Sequence, residues 1–274
     1  MSDTADEALP AVAEDPREMI RVQPAGDGLN PRTARTHFRR LHDFLSDSNG
    51  RFRRPTRETL EIRLTSREGQ IHYDIGLEDQ DRLDSLERLL RGLFPNTYEF
   101  TRTASTDHEL YTTEADPVGI EFEGRPERRD DWQTQLKTQA FFAGDDREHT
   151  RLPLTAVAET LAGSTHPVVV QILLTPRPDW TATAEARSLD IESQQDTAFA
   201  KVLNSVIGQP DPEDLSLSAS DHERLEELRQ KDSRHCFDVA ARAVSLPRAD
   251  GDTAQANAVI EDLETAFSTI SHTS

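Results

Sequence analysis

The spacing of apolar residues changes period several times along the chain, and each change marks an element. Leu60, Ile62 and Leu64 alternate with Glu61, Arg63 and Thr65; Ile71, Tyr73, Ile75 and Leu77 resume the alternation after Arg67-Glu68-Gly69. A period of two on either side of a glycine turn predicts a β-hairpin with one buried face. Leu83, Leu86, Leu89, Leu90 and Leu93 then recur at helical spacing and stop before Pro95, which predicts an amphipathic helix. Upstream, Asn30-Pro31 offers a capping side chain and a proline at the first helical position, followed by the stripe Ala34, Phe38, Leu41 and Leu45. Strand candidates at Met19-Ile-Arg-Val and at Thr97 to Thr103 complete the order strand, helix, strand, strand, helix, strand. That order is the ferredoxin-like plan, two helices over an antiparallel sheet.

After a polar stretch ending at Asp116-Pro117, the pattern begins again. Val118, Ile120 and Phe122 alternate; Pro153 opens a short helix through Leu154, Val157 and Leu161; Val168 to Leu174 is wholly apolar and predicts a central strand. A long polar insertion spans 181–219, and Ser220-Asp-His-Glu223 reads as a capping box for a helix carrying Leu225 and Leu228. Phe237, Val239, Ala241 and Ala243 predict a strand, and Asp252 caps a helix with the face Ala256, Val259, Ile260, Leu263, Phe267 and Ile270.

The expectation is an α+β protein of two ferredoxin-like modules, 18–104 and 118–274, joined by a linker at 105–117 and preceded by an acidic disordered tail at 1–17. The second module carries the insertion and lacks a last strand. Either the chain is the front piece of a longer polypeptide, or a partner supplies that strand, or the sheet is simply smaller; an unprotected inner edge is normally avoided.

Composition narrows the function classes. The 274 residues carry a formal net charge of −20, and only Lys137, Lys201 and Lys231 are lysines. Such an acidic, lysine-poor chain reads as one from a salt-saturated cytoplasm, where self-repulsion is screened within a few Å. The lone Cys236 excludes an intrachain disulfide and a thiolate zinc site, and packs as a small apolar residue. No apolar run approaches the ~20 residues of a membrane span, and the acidic start Met1-Ser-Asp-Thr-Ala-Asp-Glu does not read as a secretion signal. The expected location is cytoplasmic, with any membrane contact made through a partner.

Candidate chemistry is sparse. The lysines follow Leu136, Ala200 and Gln230, so no Gly-Lys-Ser/Thr phosphate loop exists. Gly26-Asp27-Gly28 lacks the third glycine of a dinucleotide fingerprint and reads as a turn. His37 and His42 are five apart and do not align as paired metal ligands; they, His222 and His235 read as surface or cap residues. Trp132 and Trp180 read as packing residues, and Asp179-Trp180 as a helix start. No enzyme, cofactor or metal is expected. The one functional-looking cluster is basic: Arg32, Arg35, Arg39, Arg40, Arg51, Arg53, Arg54 and Arg57, with only Asp43 and Asp47 as acids between them. It suits a nucleic-acid backbone or an acidic neighbouring subunit. The plainer reading is a solvated helix face paired with carboxylates from adjacent strands.

Three segments carry a family resemblance. Leu60 to Tyr73 with Leu93-Phe94-Pro95-Asn96-Thr97 resembles the hairpin and helix exit of conjugative type IV secretion ATPases of the HerA/FtsK superfamily. His166-Pro-Val-Val-Val-Gln-Ile-Leu-Leu-Thr-Pro with Trp180 looks like their E-x-x-x-x-Q-x-x-x-x-P…W strand. Arg229-Gln-Lys-Asp-Ser-Arg-His-Cys-Phe-Asp-Val-Ala-Ala-Arg-Ala-Val is similar to their K-x-x-x-x-x-F-x-V-x-x-R strand. The resemblance spans roughly 19–270 and implies the non-motor region that precedes a RecA-like motor. It therefore implies a scaffold acting through protein contacts with a motor ATPase, or through self-association, in a haloarchaeal DNA-transfer system. No motor follows Ser274, so no ATP-site residue is carried over. The alternative is a small nucleic-acid-binding protein using the arginine patch.

Overall fold

A computed structural model describes residues 17–24, 31–46, 57–67, 69–104, 116–122, 153–193, 217–247 and 253–270. In chain order the elements are β1 (Glu18–Gln23), α1 (Pro31–Ser46), β2 (Leu60–Arg67), β3 (Gln70–Leu77), a 3-10 turn (Gln80–Arg82), α2 (Leu83–Leu93), β4 (Glu99–Ala104) and β5 (Val118–Phe122). They continue as α3 (Pro153–Gly163), β6 (Val168–Pro176), α4 (Thr181–Glu192), α5 (Ala219–Gln230), β7 (Phe237–Ser245) and α6 (Thr253–Ser268). The protein is α+β, and its strands form one seven-stranded sheet in the order β4-β1-β3-β2-β6-β7-β5. Every neighbouring pair is antiparallel.

The expected hairpin forms because Arg67 pairs with Gln70 across a turn whose Gly69 has φ 77. A side chain at that angle is strained, and glycine is not. The leucine stripe of α2 buries Leu83, Leu86, Leu90 and Leu93. Together with Leu41 and Leu45 of α1, these pack on Ile20, Val22, Leu60, Ile75, Leu77 and Phe100. In the second half, Val157 and Leu161 of α3 and Val259, Ile260, Leu263 and Ala266 of α6 pack on Leu64, Val168, Val170 and Ala243. Ile62, Tyr73 and Ile172 touch both clusters, so all four helices lie on the same face of the sheet.

The halves join where β2 pairs with β6, from Leu60 opposite Leu174 to Ser66 opposite Val168. Strand β6 is thereby flanked on both sides. Strand β5 pairs with β7 on one side, and among the described residues no strand pairs with its other side.

Several expectations need correction. The β2–β3 hairpin buries both faces: Glu61, Arg63, Thr65 and Asp74 are only 6–8% exposed. The charged groups among them, Glu61, Arg63 and Asp74, are tolerated because they are paired. Arg21 donates to both carboxylate oxygens of Asp74 at 2.8 and 3.0 Å, and Glu61 accepts from Arg63 at 2.9 Å and from Gln171 at 2.6 Å. The capping box sits two residues earlier than read, with Ser218 at the cap and Asp221 as its partner. The insertion at 181–219 contains α4. Leu154 and Val239, read as core, are 64% and 60% exposed. Asn30, Trp132, Asp252 and the segments 1–16 and 105–115 lie outside the described residues.

Candidate functional site

The basic face of α1 follows from its apolar one. With Leu41 and Leu45 buried against the sheet, Arg35, Arg39 and Arg40 are exposed, since residues four apart share a helix face. Arg57 is exposed just before β2. Arg51, Arg53, Arg54 and the side chain of Arg32 lie outside the described residues.

What the sequence did not suggest is where α1 points. The segment between β6 and β7 reaches back across the sheet and meets this helix. The Arg35 guanidinium donates to the Gln230 carbonyl at 3.1 Å, and Arg39 Nε donates to Asp232 Oδ2 at 2.5 Å. Arg35, Arg39, Thr181, Arg229, Lys231, Asp232 and Arg234 line a cleft of about 360 Å³. Three further cations from the second half therefore join two arginines from the first. Each of the three sits among acids or polar residues in sequence, which hides it; the run Arg229-x-Lys231-x-x-Arg234 is the one local signal.

The cleft is not a bare positive patch. Arg229 faces Glu192 at 3.4 Å and Arg234 faces Asp179 at 3.8 Å. Burial works to raise the Asp232 carboxyl, but hydrogen bonds from Arg39, His235 and the Arg234 and His235 amides outweigh it and lower it to about 2. Thr181 donates to Asp179 through its hydroxyl and its amide, lowering that carboxyl too. The pairing lies at the start of α4, whose N-cap position is Trp180, so the helix starts where Asp179-Trp180 predicts it. In the α1 patch Arg39 is therefore paired with a carboxylate, Asp232, which comes from the connection between β6 and β7 and not from an adjacent strand, while Arg35 bonds a backbone carbonyl of the same connection.

Arg234 also borders a neighbouring cleft of about 470 Å³ with His42, Asp43, Phe44, Ser46 and His235. His42 is not a surface residue. It is 8% exposed, with Nε2 at 3.2 Å from the Arg177 carbonyl and its ring centroid 5.3 Å from that of His235. His235 lies between Asp43 at 3.4 Å and Asp232 at 3.2 Å. His222 hydrogen-bonds at 3.0 Å to the Ser218 carbonyl, as a cap residue should. The His37 ring sits 6.1 Å from Phe94, and burial followed by the Arg40 charge lowers its pKa.

Behind the cleft, Trp180, Ile191, Leu225 and Leu228 form a small core of their own, with Cys236 packed against it. Trp180 donates from Nε1 to Cys236 Sγ at 2.8 Å, while burial raises the thiol. This miniature core fixes α4 and α5 and so fixes the rim of the cleft. Among the described residues, no group of three or more His, Cys, Asp or Glu could hold a metal. None of their helices is long and apolar enough to cross a membrane. What the arrangement offers is a set of charged and amide donors converging on an open cleft.

The chain matches no protein-family model, no curated protein and no solved structure.

Proposed function

We propose that this chain is a non-catalytic assembly module that works through protein–protein contacts, as the non-motor region of a DNA-translocating conjugation ATPase of the HerA/FtsK superfamily would. The first half has the strand order β4-β1-β3-β2 of a ferredoxin-like module, and the second half repeats that order as β5-β7-β6. The observation that carries the reading is the edge of β5, which has a strand on one side only among the described residues. An open sheet edge is a template for another strand. In this reading the protein is cytoplasmic and reaches a membrane only through a partner. Affinity purification of the full chain from its native cytoplasm tests it: the chain should self-associate or bring down a motor ATPase subunit. A strictly monomeric protein with no bound partner would overturn the reading.

A second reading is favoured by the composite cleft. Arg35, Arg39, Arg229, Lys231 and Arg234 meet in one place in a chain whose net charge is −20. The exposed ion pairs of Arg229 with Glu192 and of Arg234 with Asp179 are worth about 0–1 kcal/mol each and can be exchanged for nucleic-acid phosphates. Fluorescence anisotropy with single- and double-stranded DNA across a salt series checks this. Arg35→Ala with Arg229→Ala and Arg234→Ala should weaken binding uniformly across sequences and lower the salt slope by about one for each phosphate left without its arginine. Unchanged binding and slope in the triple variant would exclude the cleft.

A further inference from the structure

Resting on the assembly reading, the geometry points to its partner: we propose that the edge of β5 left without a strand among the described residues pairs with the same edge of a second copy of this chain, antiparallel about a twofold axis centred on Ile120. The two sheets then continue into one, with the helices of both copies on the same face.

The first half shows what an edge of this kind accepts. Strand β1, which stands next to β3 as β5 stands next to β7, carries β4 on its other side from Glu18 opposite Ala104 to Gln23 opposite Glu99. That outer strand finishes the apolar layer, since Phe100 is 8% exposed and lies in the first core. No such layer closes over β5 among the described residues. Val118, Ile120 and Phe122 are only half-buried, Gly119 and Glu121 are exposed, and Phe122 leans on Phe267 of α6 with ring centroids 4.3 Å apart. Of the two outermost strands, β4 carries both Glu99 and Arg102, whereas β5 carries one charge in five residues. Charge is the common protection of a sheet edge, so β5 is the less protected one.

Self-pairing also fits in register. Directly opposed residues in an antiparallel pair point to the same face, so helix-side residues must meet helix-side residues across the axis. Centring on Ile120 aligns all five positions: Ile120 meets its own copy, Val118 meets Phe122, and Gly119 meets Glu121. A shift toward Phe122 would set Glu121 against itself, and like charges directly opposite are destabilising. A shift toward Val118 would set Phe122 opposite Asp116, beyond the end of β5. A Cβ at Gly119 would lie 3.2 Å from the Ala243 carbonyl of β7, so the position favours glycine, and a glycine places no side chain opposite Glu121.

Two chains of −20 each repel at low ionic strength, and that repulsion is confined to about 3 Å at molar salt against about 10 Å at 0.1 M. Sedimentation velocity of the full chain over a protein concentration series should therefore show a monomer–dimer equilibrium whose dimer share rises with salt. A monomer at every concentration and salt overturns the proposal. Mild oxidation of Ile120→Cys should give a disulfide-linked dimer at least tenfold faster than Val118→Cys; equal rates overturn the register. A third variant separates this idea from the reading beneath it. Residues 97–104 are appended after Ser274, so that a copy of β4 can follow α6 as β4 follows α2. That strand should occupy the β5 edge, abolish the dimer and raise the melting temperature. If the parent is monomeric and the appended strand still raises the melting temperature, self-pairing falls and the open edge stands. If it raises nothing, both fall.

Discussion

In the first half β2 turns back into β3 through a tight turn closed by Arg67 and Gln70, whereas in the second half β6 reaches its neighbour β7 only after a segment running from Arg177 to Cys236. The strand pairs themselves are alike: both are antiparallel, both are next to the junction, and both sit beneath two helices. The long connection carries α4, α5, a small core of its own and the wall of the cleft that closes on α1. The same sheet position thus serves as a minimal turn in one half and as the carrier of the candidate site in the other. The sheet tolerates this because β6 and β7 pair along their whole length whatever joins them, and closing a longer loop costs only about 0.6 kcal/mol per doubling of length.

The sharpest way to break the comparison is to ask whether the halves fold as one. Leu86 and Leu263 are both fully buried, one in each core. Replacing either by alanine should cost about 2–5 kcal/mol. Because β2 and β6 are paired from Leu60 to Ser66 and Ile62 and Ile172 touch both cores, each substitution should shift one common transition in urea unfolding. Two separate transitions, with each variant moving only one, would show that the halves are independent bodies.

This coupling is also where sequence reading reached its limit. The hairpin and both leucine-rich helices were legible because their periods are local. Nothing local says that β2, flanked by β3, also pairs with a strand more than a hundred residues away. For the same reason the polar alternation of Glu61 and Arg63 read as a wetted face, although Gln171 arrives from β6 to pair with Glu61, and Arg21 arrives from β1 to pair with Asp74 opposite Arg63. The capping box was misplaced because Ser218-x-x-Asp221 and Ser220-x-x-Glu223 overlap, and both satisfy the same rule. The arginines of α1 were visible as a run, but Arg229, Lys231 and Arg234 join them only through the path of the connection.

That connection can be tested at Asp232, which holds it to α1 through Arg39. A carboxyl lowered from 3.8 to about 2 stabilises the fold above its unfolded value, and the contribution disappears as pH falls through 3.8 to about 2. At about 1.4 kcal/mol per pKa unit, reduced by partial solvent screening, the contribution is about 1–2 kcal/mol. Asp232→Asn should lose that amount at pH 7 and almost none near pH 2, so the stability curves of parent and variant converge in acid. Parallel curves from pH 6 down to pH 2 would mean that the carboxylate does not tie the connection down.

The smallest effect belongs to the turn on the other side of the comparison. Gly69 has φ 77, with the nearest neighbour to a Cβ being the Ala162 carbonyl at 3.5 Å, an ordinary contact. Gly69→Ala should therefore cost only the backbone strain of a left-handed angle, about 1 kcal/mol. Gly69→Asn should lose less, since asparagine tolerates that angle. Amide exchange locates the loss: if the halves share one cooperative sheet, protection should fall uniformly in β2, β3 and β6, because opening the turn exposes them together. Faster exchange confined to Arg67 and Gln70 would mean that the turn frays by itself. In that case the β2–β6 junction, rather than the turn, holds the hairpin in place, and the long connection of the second half is no handicap to its own strand pair.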